Sequence, residues 1–333
     1  MAQRSSIEWT DATWNPVRGC SRVSEGCRNC YAELIAARFS GPGQAYEGLA
    51  RRTKAGPRWT GRVQLVERHL EDPLRWRDGR RIFVNSMSDL FHEALTDEQI
   101  DRVFAVMALA PAHTFQILTK RPERMRKYCS DLRNRPLDFT AVDGGRGGSA
   151  DVMLGAFFRR GWLSNVWLGV SVEDQPCWDE RVEILGRIPA AVRFVSAEPL
   201  LGPIDCGNAF DPAPEGSPYR PIDWVIVGGE SGPHARPMDL AWARAIVAQC
   251  RAAGVARFVK QMGRWVLGDH TGFQVHHWLL DDGRGFVPPI FGPAVHTRPT
   301  NAIGFRVRDP KGGDWDEWPT DLRIREFPQA VPA

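Results

Sequence analysis

Three cysteines stand close together in the run Gly19-Cys20-Ser21-Arg22-Val23-Ser24-Glu25-Gly26-Cys27-Arg28-Asn29-Cys30-Tyr31, spaced C-x6-C-x2-C. Thiolates are soft ligands, and this density of them points to a metal or a metal–sulfur centre. Three thiolates close a structural zinc site only with a fourth ligand, for which His92 or His234 is a candidate. They also suit a [4Fe-4S] cluster whose fourth iron stays open to a substrate or cofactor. The second reading predicts a redox enzyme. The remaining cysteines, Cys129, Cys177, Cys206 and Cys250, are isolated. Cys250 falls on an apolar helical face and reads as core.

The composition fits such a protein without identifying it. The chain has 333 residues, 43% hydrophobic and 25% charged, with a net charge of +3. That is ordinary for a globular protein, long enough for one large barrel or two modest domains. No apolar run approaches the roughly 20 residues of a membrane helix. Residues 1–8 lack the apolar core of a signal peptide. The expectation is a cytoplasmic protein without a membrane partner, in which clustered thiols stay reduced. Lys54, Lys120, Lys127, Lys260 and Lys311 are the only lysines, so the positive charge is nearly all arginine. Arginine forks suit phosphate and carboxylate.

The elements that must position the cysteines follow from apolar patterning. Short β-branched runs at 81–87, 114–120, 166–172, 192–198, 223–229 and 256–262 read as strands buried on both faces, as in a parallel sheet. A further strand near Thr13 to Arg18 leads into the cysteine loop. Thr96 caps a helix with Ile100, Val103, Phe104 and Met107 inward. Asp239 caps another with Leu240, Ala243, Ile246, Val247 and Cys250 inward, stopped by Gly254. About seven β/α units predict an α/β fold, a full or partial (β/α) barrel of parallel strands, with a doubly wound sheet as the alternative. The glycine-rich run 143–149 lacks the strand-then-helix context of a phosphate loop and reads as a surface insertion. Residues 205–221 predict a long loop. The chain divides into a barrel, 1–262, and an irregular extension, 263–333, in which Trp265, Trp278, Trp315 and Trp318 anchor loops to the barrel.

Enzymes of this architecture carry their reactive groups just past the carboxyl ends of the strands. This chain puts there Asn85, Ser86 and Asp89; Lys120 and Arg121; Ser171 and Glu173; Glu198; Glu230 and His234; and Lys260 with Gln261. Each alone suits a helix cap or a surface position. Their recurrence at every strand end predicts a polar rim beside the cysteine loop.

Several segments together resemble a known family. They are Ile7-Glu8-Trp9-Thr10-Asp11-Ala12-Thr13-Trp14-Asn15-Pro16, the three-cysteine run, Asn85-Ser86-Met87-Ser88-Asp89-Leu90-Phe91, Leu118-Thr119-Lys120-Arg121-Pro122, Gly169-Val170-Ser171-Val172-Glu173, Ser196-Ala197-Glu198-Pro199-Leu200, Gly228-Gly229-Glu230-Ser231-Gly232 and the late Gly313-Asp314-Trp315-Asp316-Glu317-Trp318-Pro319. They are similar to a phage-associated family of unknown function, known for its three-cysteine motif and regarded as distantly radical-SAM-like. The resemblance implies that Cys20, Cys27 and Cys30 ligate a [4Fe-4S] cluster and that S-adenosylmethionine chelates the open iron. One electron would then release a 5′-deoxyadenosyl radical, with a flavodoxin- or ferredoxin-type protein as reductant. It further implies that Asn85, Ser86 and Asp89 grip the methionine amino group, that Ser171 and Glu173 bind ribose, and that Lys120 or Arg121 meets the carboxylate. Glu198 and Glu230, with Lys120, would face the substrate. Two features depart from the usual C-x3-C-x2-C pattern: the first gap is three residues longer, and Asn29 precedes Cys30 where an aromatic is common.

Two other readings stand beside this one. A nucleic-acid-binding or repair protein is suggested by Arg51, Arg52, Arg58 and Arg62 and by Arg121, Arg124 and Arg126, with tryptophans able to stack on bases. Interleaved acids give those arginines the simpler reading of a solvated, ion-paired face. A zinc-binding barrel protein is the third. The phage association adds the expectation of a neighbour-encoded partner protein.

Overall fold

The six apolar runs and the segment leading into the cysteine loop form seven strands: β1 (Ala12–Trp14), β2 (Arg81–Val84), β3 (Thr114–Thr119), β4 (Val166–Val172), β5 (Val192–Ala197), β6 (Trp224–Gly228) and β7 (Ala256–Gln261). The structure, a computed structural model, describes residues 5–132, 142, 162–212, 215, 217, 219–268 and 303–329. All seven strands lie in one sheet in chain order, each parallel to the next. Every crossover therefore runs to the adjacent strand, which makes the sheet a half-barrel and removes the doubly wound alternative. β4, β5 and β6 are buried at every position, as their predominantly apolar runs require; Arg193, the one charged residue among them, donates from Nε to Ile188 O at 2.9 Å.

The concave face is filled by aromatic rings. Trp9, just before β1, packs 4.6 Å from Phe83 and 6.1 Å from both Phe194 and Trp224, centroid to centroid. Gly169 on β4 lies beside Phe194 in register, and a Cβ there would come within 2.6 Å of that ring. The glycine is the space into which the Phe194 ring fits.

α1 (Tyr31–Arg38) packs on the hairpin Ala50–Thr53/Gly56–Trp59, and the convex face is covered by α2 (Asp97–Leu109), α3 (Pro122–Leu132), α4 (Gln175–Gly186) and α5 (Leu240–Ala253). Thr96 and Gln99 form a reciprocal capping box on α2, and Ile100, Val103, Phe104 and Met107 are buried. Asp239 caps α5 through the Ala241 N–H, and Gly254 ends it at φ +69°. Both helices match the sequence expectation, Cys250 included, which is fully buried. No helix among the described residues is long and apolar enough to cross a membrane.

Two expectations need adjustment. The first strand stops at Trp14, because Pro16 has no N–H for the ladder; Val17–Arg18 turns away to pair antiparallel with Gln64–Leu65. The chain beyond 262 is not wholly irregular: Trp265–Gly268 pairs with Ile303–Arg306 and with Met238–Asp239 in a small sheet. Its last described residues guard the open edge of the half-barrel. Val259 N–H donates to Ile324 O and Glu326 N–H to Arg257 O, so the β7 edge is not left free. Trp318 is fully buried and donates from Nε1 to Gly312 O at 2.8 Å. The described part of 205–221 contains no helix or strand. The 143–149 insertion and Trp278 lie outside the described residues.

Candidate functional site

The loop from Asn15 to Cys30 folds across the carboxyl-end rim, and the rim holds it at several strand ends. After β2, Gly19 bridges to Ser88, whose hydroxyl donates to Val17 O at 2.9 Å. Ser86 Oγ and Met87 N–H both donate to Asn15 Oδ1, and Tyr31 donates its hydroxyl to Ser86 O. After β3, Arg121 donates to Ser21 O and Oγ at 3.1 and 2.7 Å, with Nη1 4.0 Å from Cys20 Sγ. After β4, Glu173 accepts the Gly26 N–H at 3.3 Å. After β6, Glu230 accepts from Asn29 Nδ2 at 2.9 Å, and Arg236 ties Glu230 to Glu25 O. Within the loop, Arg22 forms a forked pair with the buried Glu33.

This divides the predicted site residues into two groups. Asp89, Arg121, Glu173 and Glu230 are buried and committed. Asp89 accepts from Thr119, Lys120 N–H, Arg121 and Phe91 N–H. Arg121 also holds Glu93 at 2.9 Å. Glu173, fully buried, pairs with Arg181 at 3.0 Å and faces Lys120 at 3.8 Å. Burial alone would raise the Glu173 carboxyl, but Lys120, Arg181 and the Gly26 N–H together hold it below the usual carboxylate range. The second group reaches solvent. Lys120, Glu198 and Lys260 keep 16%, 19% and 17% of their side chains exposed, enough to meet a ligand. Lys120 donates to Ser171 Oγ, which donates to Glu198 O. Glu198 Oε1 accepts from Lys260 Nζ at 2.6 Å and from Gln261 at 3.2 Å.

Asn85 belongs to neither group. It is buried at φ +61°, a left-handed conformation that asparagine tolerates better than most residues. Its Oδ1 accepts the Val17 N–H at 3.2 Å, leaving Nδ2 buried with no partner among the described residues. A buried orphan donor costs stability unless a ligand satisfies it.

The three thiols are free. Cys20 feels the charge of Cys27 and Cys30, and Cys30 that of Cys27. Burial pushes Cys20 up to about 12, with Asp89 adding to the rise and Arg121 opposing it. Burial also raises Cys30, against the backbone N–H groups of Glu33 and Ala32 at the start of α1; its sulfur makes no capping hydrogen bond of full geometry. Among the described residues no three His, Cys, Asp or Glu side chains converge as the ligands of a single ion do. His92 uses both ring nitrogens within the protein: Nδ1 accepts the Ala94 N–H at 3.1 Å, so Nε2 carries the proton and donates to Ser21 Oγ at 2.9 Å. In this arrangement it braces the loop. For His234 the structure supplies a backbone carbonyl, which accepts from Asn29.

The donor set fits a thiolate-held cluster: three soft ligands on one loop, with a guanidinium at one sulfur and helix-start N–H groups at another. Several residues of the site were not foreseen. Arg181 and Arg236 lie on α4 and in the loop after β6, where nothing in the sequence marks them as partners of a rim carboxylate. Asn29 did carry a signal, since it departs from the expected aromatic; its amide is what binds Glu230. Arg124 and Arg126 pair with Asp97 and Glu123, confirming the ion-paired reading for the arginines after β3.

No curated protein and no solved structure matches the chain. A family model, described as a protein of unknown function (DUF5131), matches residues 4–319. With nearly its whole length matched, the chain belongs to the DUF5131 family of unknown function.

Proposed function

We propose that this protein is an iron–sulfur enzyme of the radical S-adenosylmethionine type. In this reading Cys20, Cys27 and Cys30 hold a [4Fe-4S] cluster over the carboxyl-end rim. The observation that carries the reading is the clamped loop: the strand ends devote their buried charges to holding one three-thiol segment at the mouth of a parallel half-barrel. When bound, the cluster would supply the electron that cleaves the sulfonium bond of S-adenosylmethionine.

The roles of this chain's own residues follow from their environments. Arg121 places a fixed positive charge beside Cys20 and favours its thiolate. The N–H groups at the start of α1 do the same for Cys30. Glu173 and Glu230 accept from the loop and position it, and Asp89 does so through Arg121. The Asn85 amide is an unsatisfied donor and therefore suits an acceptor, such as the carboxylate oxygen of an amino acid, better than an ammonium group. Lys120 offers a second contact for that carboxylate. Glu198, held by Lys260 and open to solvent, is the group placed to accept a proton from a substrate.

Anaerobically reconstituted protein given dithionite and S-adenosylmethionine is expected to release 5′-deoxyadenosine, measured by chromatography. Protein that holds iron but leaves S-adenosylmethionine intact would remove that cofactor from the proposal. The partner implied is a small flavodoxin- or ferredoxin-type electron carrier.

A further inference from the structure

We infer, resting on the cluster reading, that Arg22 and Glu33 are positioning residues: a charge pair that shapes the Cys27–Cys30 end of the loop and sets the reduction potential of the cluster held there.

The loop makes this pair for itself. Six residues separate Cys20 from Cys27, and the second of them, Arg22, turns back across the loop. Its Nε donates at 3.1 Å to both carboxylate oxygens of Glu33, in the first turn of α1. Its Nη2 adds a bond to Glu33 Oε2 and another, at 2.7 Å, to Arg28 O, the carbonyl just after Cys27. The guanidinium therefore joins the backbone beside Cys27 to the helix that starts after Cys30. The Glu33 side chain is 3% exposed, and it also accepts the Trp59 N–H at 3.1 Å.

Both charges lie within electrostatic reach of the thiols. Arg22 feels Cys30 and Cys27, and Cys30 feels Glu33, whose own N–H faces the Cys30 sulfur. Arg121 stands at the other end, with Nη1 4.0 Å from Cys20 Sγ, so each end of the loop has a guanidinium of its own. Stability alone does not account for the pair. A buried ion pair is often worth no more than apolar residues of the same volume. The neighbouring cluster of Ala32, Ala36, Ala37, Leu49 and Trp59 is apolar, and an apolar side chain at 33 would extend it.

Electrostatics fixes the signs. One added electron makes the cluster one unit more negative, so a nearby cation favours the reduced form and a nearby carboxylate opposes it. Paired, the two charges largely cancel; removing one uncovers the other. A purely structural clasp behaves differently. Loosening the loop from either side admits the same solvent and moves the potential in one direction in both variants.

The test is the midpoint potential of the full chain, reconstituted without oxygen and titrated against redox dyes. Arg22→Gln is expected to favour the oxidised form by about tenfold, a downward shift of about 59 mV for one electron. Glu33→Gln, which keeps an acceptor for the Trp59 N–H, should move the potential upward by a similar amount. Arg22→Gln/Glu33→Gln should return close to wild type, as should Arg22→Lys, which restores the charge. Arg28→Gln, at an exposed arginine of the same loop, should shift it little. Shifts of one sign, no shift, or an Arg28→Gln shift as large as that of Arg22→Gln would each overturn the inference. Should Arg22→Gln fail to fold, Glu33→Gln decides alone, and a potential at or below wild type overturns it. Loss of iron from both single variants would mark a purely structural clasp and overturn it likewise. Iron is counted in every sample. Wild type without iron removes the cluster reading and this inference with it, whereas iron-loaded wild type with shifts of one sign removes the inference only.

Discussion

Replacing Glu173 by alanine is expected to cost about 3–5 kcal/mol of folding stability, the usual effect of removing one partner from a buried ion pair. Glu173 is fully buried, and its loss leaves the equally buried Arg181 and the part-buried Lys120 without their counter-charge. It also removes the acceptor for Gly26, so the cysteine loop loses its attachment to β4. Gly26 permits that contact because a Cβ there would come within 2.9 Å of the Glu173 carboxyl. Glu173→Gln keeps an acceptor for Gly26 and should cost less. The measurement is the urea midpoint of each variant at neutral pH. Because the folded carboxyl titrates below its unfolded value, its contribution is complete above the unfolded pKa, about 4.3. It is lost as pH falls through the lower folded value. Wild type should therefore lose more stability than Glu173→Gln on acidification below that value.

The second large effect concerns metal. Cys27→Ala, prepared and reconstituted without oxygen, is expected to retain at least about tenfold less iron than wild type; removal of an outer partner alone commonly costs about 10–100-fold in affinity. Cys20→Ala and Cys30→Ala should behave alike. Cys250→Ala is the matched control, because that thiol is buried on α5 among apolar side chains. Iron bound equally by Cys27→Ala and Cys250→Ala would detach the cysteine loop from the chemistry proposed for it.

Much of the framework was legible in the sequence, for a physical reason. A strand buried on both faces must be largely apolar, and β4 to β6 advertise themselves that way, Arg193 excepted. Thr96 with Gln99, and Asp239 with Gly254, are local signals whose meaning does not depend on distant residues. The roles of the rim residues were not legible. Position after a strand marks Asp89, Glu173 and Glu230 as members of a polar rim, but not whether each faces a ligand or another part of the protein. That depends on the path of the cysteine loop, a tertiary fact carried by contacts such as Gly26 to Glu173 and Asn29 to Glu230, more than a hundred residues apart. The arginines show the same limit. Those after β3 are paired, those of the hairpin are not, and only the fold distinguishes them.

The most direct measurement is the iron and acid-labile sulfide content of wild-type protein purified and reconstituted without oxygen, read together with its visible spectrum. Close to four irons and four sulfides per chain, with a broad absorbance at about 400 nm, is the expected result. One zinc per chain, or no metal after careful reconstitution, would contradict it.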